Sequence, residues 1–122
     1  MYEVIITTKF SAAHRLRGYD GEFERLHGHN WSASILVEAK ELDGMEVGID
    51  FVALKKKTDE ILSRLDYHNI NEVSPFDNLN PSAENIAKWL YDNLSQEVNT
   101  ENAKVKRVQI NETEDSGAAY FV

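Results

Sequence analysis

Apolar residues recur at every second position near both ends of this chain and at every third or fourth position through its middle, an order that restricts the available folds. Over residues 2–10, Tyr2, Val4, Ile6 and Phe10 share one parity. Over 31–40, Trp31, Ala33, Ile35, Val37 and Ala39 oppose Ser32, Ser34, Glu38 and Lys40. Both segments read as half-buried strands. After a glycine-punctuated turn, Asp50 can cap a helix in which Phe51, Leu54, Ile61, Leu62 and Leu65 keep the helical rhythm. A second helix is expected where Asn80 can cap and Pro81 can take the first helical position, with Ala83, Ile86, Ala87, Leu90 and Leu94 facing inward. Residues 104–110 and 118–122 are strand-like again, joined by an acidic turn over 111–117. The order ββααββ predicts an α+β fold, a four-stranded antiparallel sheet with two helices on one face. Such a sheet has open edges that need blunting or pairing, so self-association is expected.

A chain of 122 residues is long enough for one domain, 1–122, with a core of its own. With 42% hydrophobic and 28% charged residues it is globular rather than disordered. It holds no apolar run of membrane-spanning length, and Met1–Ile6 has neither a basic leader nor a cleavable apolar segment, so a cytoplasmic location without a membrane partner is expected. The formal charge of -8 argues against a nucleic-acid partner, which needs a basic stripe. Lys9, Arg15, Arg17 and Arg25 still offer a local positive region for an anionic small molecule, although solvated side chains are the plainer reading. The absence of cysteine excludes disulfides, thiolate metal ligands and a thiol nucleophile together.

Three of the four histidines lie within the first 29 residues: His14, His27 and His29. His27 and His29 flank Gly28 at the start of the second strand. In extended backbone such a pair projects to one face, roughly 6–7 Å apart along the strand, close enough to reach one ion. His14 shares parity with Phe10, so a first strand that continues would deliver a third imidazole. Three neutral imidazoles with no fourth protein ligand make a catalytic rather than a structural site, with zinc the first expectation and iron or another divalent ion left open.

Phe10-Ser11-Ala12-Ala13-His14-Arg15-Leu16 followed by Leu26-His27-Gly28-His29-Asn30-Trp31 resembles the 6-pyruvoyl-tetrahydropterin synthase and 6-carboxy-tetrahydropterin synthase family. The likeness extends through Gly48-Ile49-Asp50-Phe51, Leu65-Asp66, Asn80-Pro81-Ser82-Ala83-Glu84-Asn85 and Asn111-Glu112-Thr113, essentially the whole chain. It implies the tunnelling fold, in which sheets pair into a barrel of subunits, a homotrimer or homohexamer. It also implies zinc on His14, His27 and His29, and a small-molecule pterin triphosphate as substrate. Glu112 is the implied anchor of the pterin, since one carboxylate can accept two parallel hydrogen bonds from the ring N–H and the exocyclic amine. Ser82 is a weaker candidate for contact with the heterocycle.

The chain departs from this pattern at two places. Family members that rearrange the side chain have a cysteine four residues before the first histidine of the His-Gly-His motif, and here that position is Phe23. Glu24 follows it, which resembles the glutamate (type III) variant. That variant implies a zinc-dependent lyase converting 7,8-dihydroneopterin triphosphate to 6-hydroxymethyl-7,8-dihydropterin, a folate precursor. Glu24 is then the base that removes the proton from the second side-chain hydroxyl, a task within reach of a carboxylate when a metal acidifies that hydroxyl. The second departure is Leu65-Asp66-Tyr67-His68. Asp66 matches the family aspartate, the family histidine falls on Tyr67, and His68, one place late, is the remaining candidate proton donor. The alternatives are 6-carboxy- or 6-pyruvoyl-tetrahydropterin synthase activity, the former in a deazapurine pathway, and a non-catalytic pterin- or metal-binding homologue.

Overall fold

The structure, a computed structural model, describes residues 1–18 and 24–122. Phe23, the position of the family cysteine, lies outside the described residues. The elements run β1 (Tyr2–His14), β2 (His27–Ala39), α1 (Phe51–Leu62), a short 3-10 turn (Ile70–Glu72), α2 (Ala83–Val98), β3 (Ala103–Thr113) and β4 (Ser116–Phe121). The strands form one antiparallel sheet in the order β1-β2-β3-β4, and both helices lie on one face, as the periods predict.

The alternation sets which face is covered. Ile6, Thr8, Phe10, Ala12 and His14 of β1 and the odd-numbered residues 31–39 of β2 are buried under the helices, while Ile5 on the opposite parity is exposed. Helix α2 lays Ile86, Leu90 and Leu94, all fully buried, across β3 and β4. Each such side chain contributes about 2 kcal/mol of transfer free energy. Besides His14, Thr8 is the polar residue on the buried face of β1, and its hydroxyl donates to the Asp59 carboxylate of α1 at 2.6 Å. Among the described residues, no helix is long and apolar enough to cross a membrane.

The boundaries differ from the expected ones where long-range contacts decide them. Helix α1 begins as read, with the Asp50 carboxylate accepting the Val52 amide at 3.0 Å. It ends at Leu62, so Leu65 is a fully buried turn residue rather than a helical one. Helix α2 is capped by Ser82, whose hydroxyl accepts the Asn85 amide at 3.1 Å, and not by Asn80. Asn80 is engaged elsewhere: its side-chain amide exchanges two hydrogen bonds of 2.9 Å with the backbone of Arg17. Strands β1 and β3 also extend further, and β2 begins at the His-Gly-His motif as expected. Strand β1 runs to His14, β2 starts at His27, and β3 continues through Glu112 to Thr113, which shortens the acidic turn to Glu114 and Asp115.

Candidate active site

His14 pairs with His27 and Ala12 with His29 in the β1–β2 register, so the last residue of one strand faces the first residues of the next. All three imidazoles project from the helix-covered side of the sheet, on the parity of Phe10, Ala12 and Trp31. One nitrogen from each lies within 4.8 Å of the others, a group that could hold a metal ion. The ring tautomers follow from backbone contacts. His14 Nδ1 is 2.8 Å from the Pro81 carbonyl and His27 Nδ1 is 2.7 Å from the Arg25 carbonyl. A carbonyl only accepts, so each Nδ1 carries the proton and each Nε2 presents a lone pair.

The donor set fits a cation on the local electrostatics. His14 Nε2 and His29 Nε2 are buried without a hydrogen-bond partner among the described residues. His14 Nε2 also faces Glu112 Oε1 at 3.3 Å. Two lone-pair atoms face one another there, an arrangement that a shared cation or proton relieves. Burial lowers the His14 pKa from its ordinary value of 6.5, the bond to Pro81 and the charge of Glu112 oppose that shift, and His27 and His29 reinforce it. The net direction favours the neutral, metal-ready ring.

Glu112 lies near the end of β3 and lines a cleft of about 190 Å3 with Leu16, Ser82, Ala83, Glu84, Ser116, Gly117 and Ala118. Both expected pterin contacts, Glu112 and Ser82, are therefore in one concavity beside His14, although the Ser82 hydroxyl is also occupied in capping α2. Glu24 is exposed but not loose: its amide donates to the Leu16 carbonyl at 3.1 Å, and its Oε1 accepts the Leu16 amide at 3.1 Å. That reciprocal pair fastens the Glu24 carboxylate to a residue of the cleft wall. Leu16 is steadied from the other side, because Asn71 and Asn80 each bond twice to its neighbours Arg15 and Arg17.

Asp66 and His68 belong to a different wall. Asp66 Oδ1 accepts the Ser11 amide at 2.9 Å, Tyr67 N–H donates to the Ser11 carbonyl, and Ala13 N–H donates to the His68 carbonyl, so the segment docks along the outer edge of β1. His68 Nδ1 bonds the Asp66 carbonyl at 2.8 Å. Tyr67 and His68 line a second, open cleft with Ser11, Gly28, His29 and Asn30. Tyr67 has φ 58° and is 87% exposed. The two clefts share no lining residue; they are linked through the ring contact of His29, on the wall of the second, with His14, which faces Glu112 of the first. Arg17, read as a solvated or anion-binding cation, instead donates to the carbonyls of Phe76 at 2.7 Å and Leu79 at 3.1 Å. Sequence reasoning missed the Pro81 carbonyl, Leu16 and Gly117, none of which carries a local signal for these long-range roles.

A family model described as 6-pyruvoyl tetrahydropterin synthase matches residues 3–121. A dihydroneopterin monophosphate aldolase of Pyrococcus furiosus is 32% identical over 114 residues, covering 93% of this chain and 92% of the relative. A 6-carboxy-5,6,7,8-tetrahydropterin synthase of Synechocystis is 32% identical over 117 residues, covering 92% of this chain and 87% of the relative. Among solved structures, the 6-pyruvoyl tetrahydropterin synthase of Caenorhabditis elegans superposes with a TM-score of 0.87 at 22% identity, covering 99% of this chain and 95% of that one. The strand order, the helix placement and the match across nearly every residue agree: this chain belongs to the 6-pyruvoyl tetrahydropterin synthase family.

Proposed function

We propose that the protein is a zinc-dependent pterin lyase that cleaves the side chain of a phosphorylated 7,8-dihydroneopterin to give 6-hydroxymethyl-7,8-dihydropterin. The observation that carries this reading is the convergence of His14, His27 and His29 beside the Glu112 cleft, with Glu24 fastened to the cleft wall in a chain that has no cysteine. His14, His27 and His29 would hold the ion, which supplies Lewis acidity to the side-chain hydroxyls. Glu112 orients the pterin by accepting from its ring N–H and amine, and Ser82 adds a contact. Glu24 takes the proton from the second side-chain hydroxyl. The bond between the first and second side-chain carbons then breaks, its electron pair passes to the ring imine, and an aldehyde carrying the phosphate leaves. A proton must return to the first carbon. His68, whose ring is steadied by the Asp66 carbonyl in a segment that the Asp66 side chain pins to β1, is assigned that donation.

The name of the Pyrococcus relative supports an aldol cleavage and favours the monophosphate over the triphosphate expected from sequence. The relatives named 6-carboxy-5,6,7,8-tetrahydropterin synthase favour a second reading, against which the missing thiol weighs. A Plasmodium vivax 6-pyruvoyltetrahydropterin synthase with its catalytic glutamate replaced is precedent for a carboxylate in a catalytic role on this fold. A homotrimer or homohexamer is part of the proposal, since β1 and β4 are the edges of the sheet.

Incubation with the monophosphate and the triphosphate, followed by chromatography, tests the reading. The hydroxymethyl product supports it, a carboxy or pyruvoyl product favours the second reading, and unchanged ligand leaves only binding. Glu24→Gln should abolish turnover while metal content stays; a variant that retained turnover would remove Glu24 from the role.

A further inference from the structure

The three imidazoles are not held in the same way. The rings of His14 and His27 are each oriented by a backbone carbonyl, through Pro81 and Arg25. His29 has no ring hydrogen bond among the described residues, and its Nε2 is buried and unpartnered. Its ring meets those of His27 at 4.7 Å and His14 at 5.3 Å, and its aromatic neighbour outside the triad is Trp31, two residues on and therefore on the same face of β2. The Trp31 indole meets the His29 ring edge-on at 5.3 Å and 86°, and the His14 ring at 4.7 Å and 78°.

The indole is itself immobilised. It is fully buried, stacks on Phe10 at 5.7 Å and 6°, and donates from Nε1 to the Ala12 carbonyl at 3.1 Å. Ala12 is the cross-strand partner of His29, so this bond ties the indole to the opposite strand beside the ring it supports. An indole nitrogen is a donor only, and here it is already used, so Trp31 supplies a rigid wall and no competing ligand atom. A smaller side chain would leave space beside an imidazole that no hydrogen bond aims.

We propose that Trp31 is the positioning residue of the metal centre. It sets the His29 ring, and braces that of His14, so that their unpartnered nitrogens converge before an ion arrives. The inference rests on the metal reading of His14, His27 and His29.

The test measures metal binding rather than turnover. Wild type, Trp31→Phe and Trp31→Leu are titrated with Zn2+ against a chelator and loaded with Co2+, whose visible bands report ligand geometry. Leu94→Ala, a fully buried change about three turns along α2 from its Ser82 cap, controls for lost stability. We expect metal affinity about 10-fold weaker in Trp31→Phe and up to about 100-fold weaker in Trp31→Leu, the range known for groups that orient metal ligands. The Co2+ bands should shift in both, and the control should bind and absorb like wild type. Unchanged affinity and bands in the Trp31 variants, or an equal loss in Leu94→Ala, overturns the proposal. Failure of wild type to bind either ion overturns the metal reading itself. Should both Trp31 variants fail to fold, Trp89→Phe leaves Trp31 as the sole tryptophan. Co2+ must then quench its emission with one equivalent, and emission unaffected at saturation refutes the placement.

Discussion

Gly117→Ala isolates one close approach on which the Glu112 cleft depends. A methyl group built on Gly117 overlaps the side-chain amide of Asn111 and stands 2.6 Å from the Ile110 carbonyl, where 3.4 Å begins ordinary contact. Gly117 does not have a positive φ, so the whole effect is steric. Asn111 is not free to swing away, because its Oδ1 accepts from Gln109, which in turn accepts from Arg107, both at 2.9 Å. The Ile110 carbonyl belongs to a strand whose residues pair on both sides. Overpacking of this kind costs about 1–3 kcal/mol, and because β4 is an edge strand that can yield, we expect about 2 kcal/mol. Urea unfolding should show a lower midpoint with an unchanged slope, the mark of lost stability rather than an altered denatured state. Repeating the change in an Asn111→Ala background removes the side-chain overlap and leaves the carbonyl. The penalty should shrink but persist at about 1 kcal/mol, since the surviving contact is still well inside van der Waals distance. A Gly117→Ala protein as stable as wild type, or a penalty that vanishes without Asn111, would refute the steric argument.

Ser82→Ala should cost about 1 kcal/mol, measured by thermal unfolding, because it removes the N-cap of α2. Ser82→Asp keeps a capping oxygen and should restore most of that stability, so any weakening of pterin binding that persists in Ser82→Asp belongs to the cleft and not to the helix. The metal-free protein should lose stability as the pH falls below 6.5. The His14 pKa is lowered in the folded state, so below 6.5 the unfolded chain binds the proton first, and stability drops by at most about 1.4 kcal/mol per pH unit from this group. Urea midpoints from pH 8 to 5 test it, and a midpoint that rose on acidification would contradict the sign. Tyr67→Asn should raise the melting temperature, because an exposed aromatic in the left-handed region gives up little packing and Asn tolerates that conformation. A lowered melting temperature would mean that Tyr67 packs against something beyond this chain.

The sequence carried the fold wherever the local pattern matched the eventual burial. Alternation placed Trp31 to Ala39 under the helices, and the helical rhythm found Leu54, Ile61, Ile86, Leu90 and Leu94. The histidine cluster was legible for the same reason, because strand parity alone puts His27 and His29 on one face and His14 on the matching face of its neighbour. The signal failed where distant residues decided. Asn80 and Ser82 both had the chemistry to cap α2, and the choice depended on Arg17, more than sixty residues earlier in the chain. Arg17 itself looked like a solvated cation because the carbonyls it satisfies lie on a loop that only the folded chain brings near. The docking of 66–69 along β1 through Asp66, Tyr67 and His68 is likewise a tertiary contact with no periodic trace.

All three imidazoles come from the first two strands, whereas Glu112, Ser82 and Gly117, which wall the adjoining cleft, come from the second half of the chain. The two halves of the centre meet through the contact of His14 with Glu112 and the carbonyl of Pro81. Apart from Leu16, which joins the cleft wall from the N-terminal stretch, the histidine cluster and the wall of the cleft beside it are therefore encoded by separate stretches of sequence. Selection can retune the shape of the cleft through its C-terminal wall without loosening the histidines, provided those two junctions are left alone.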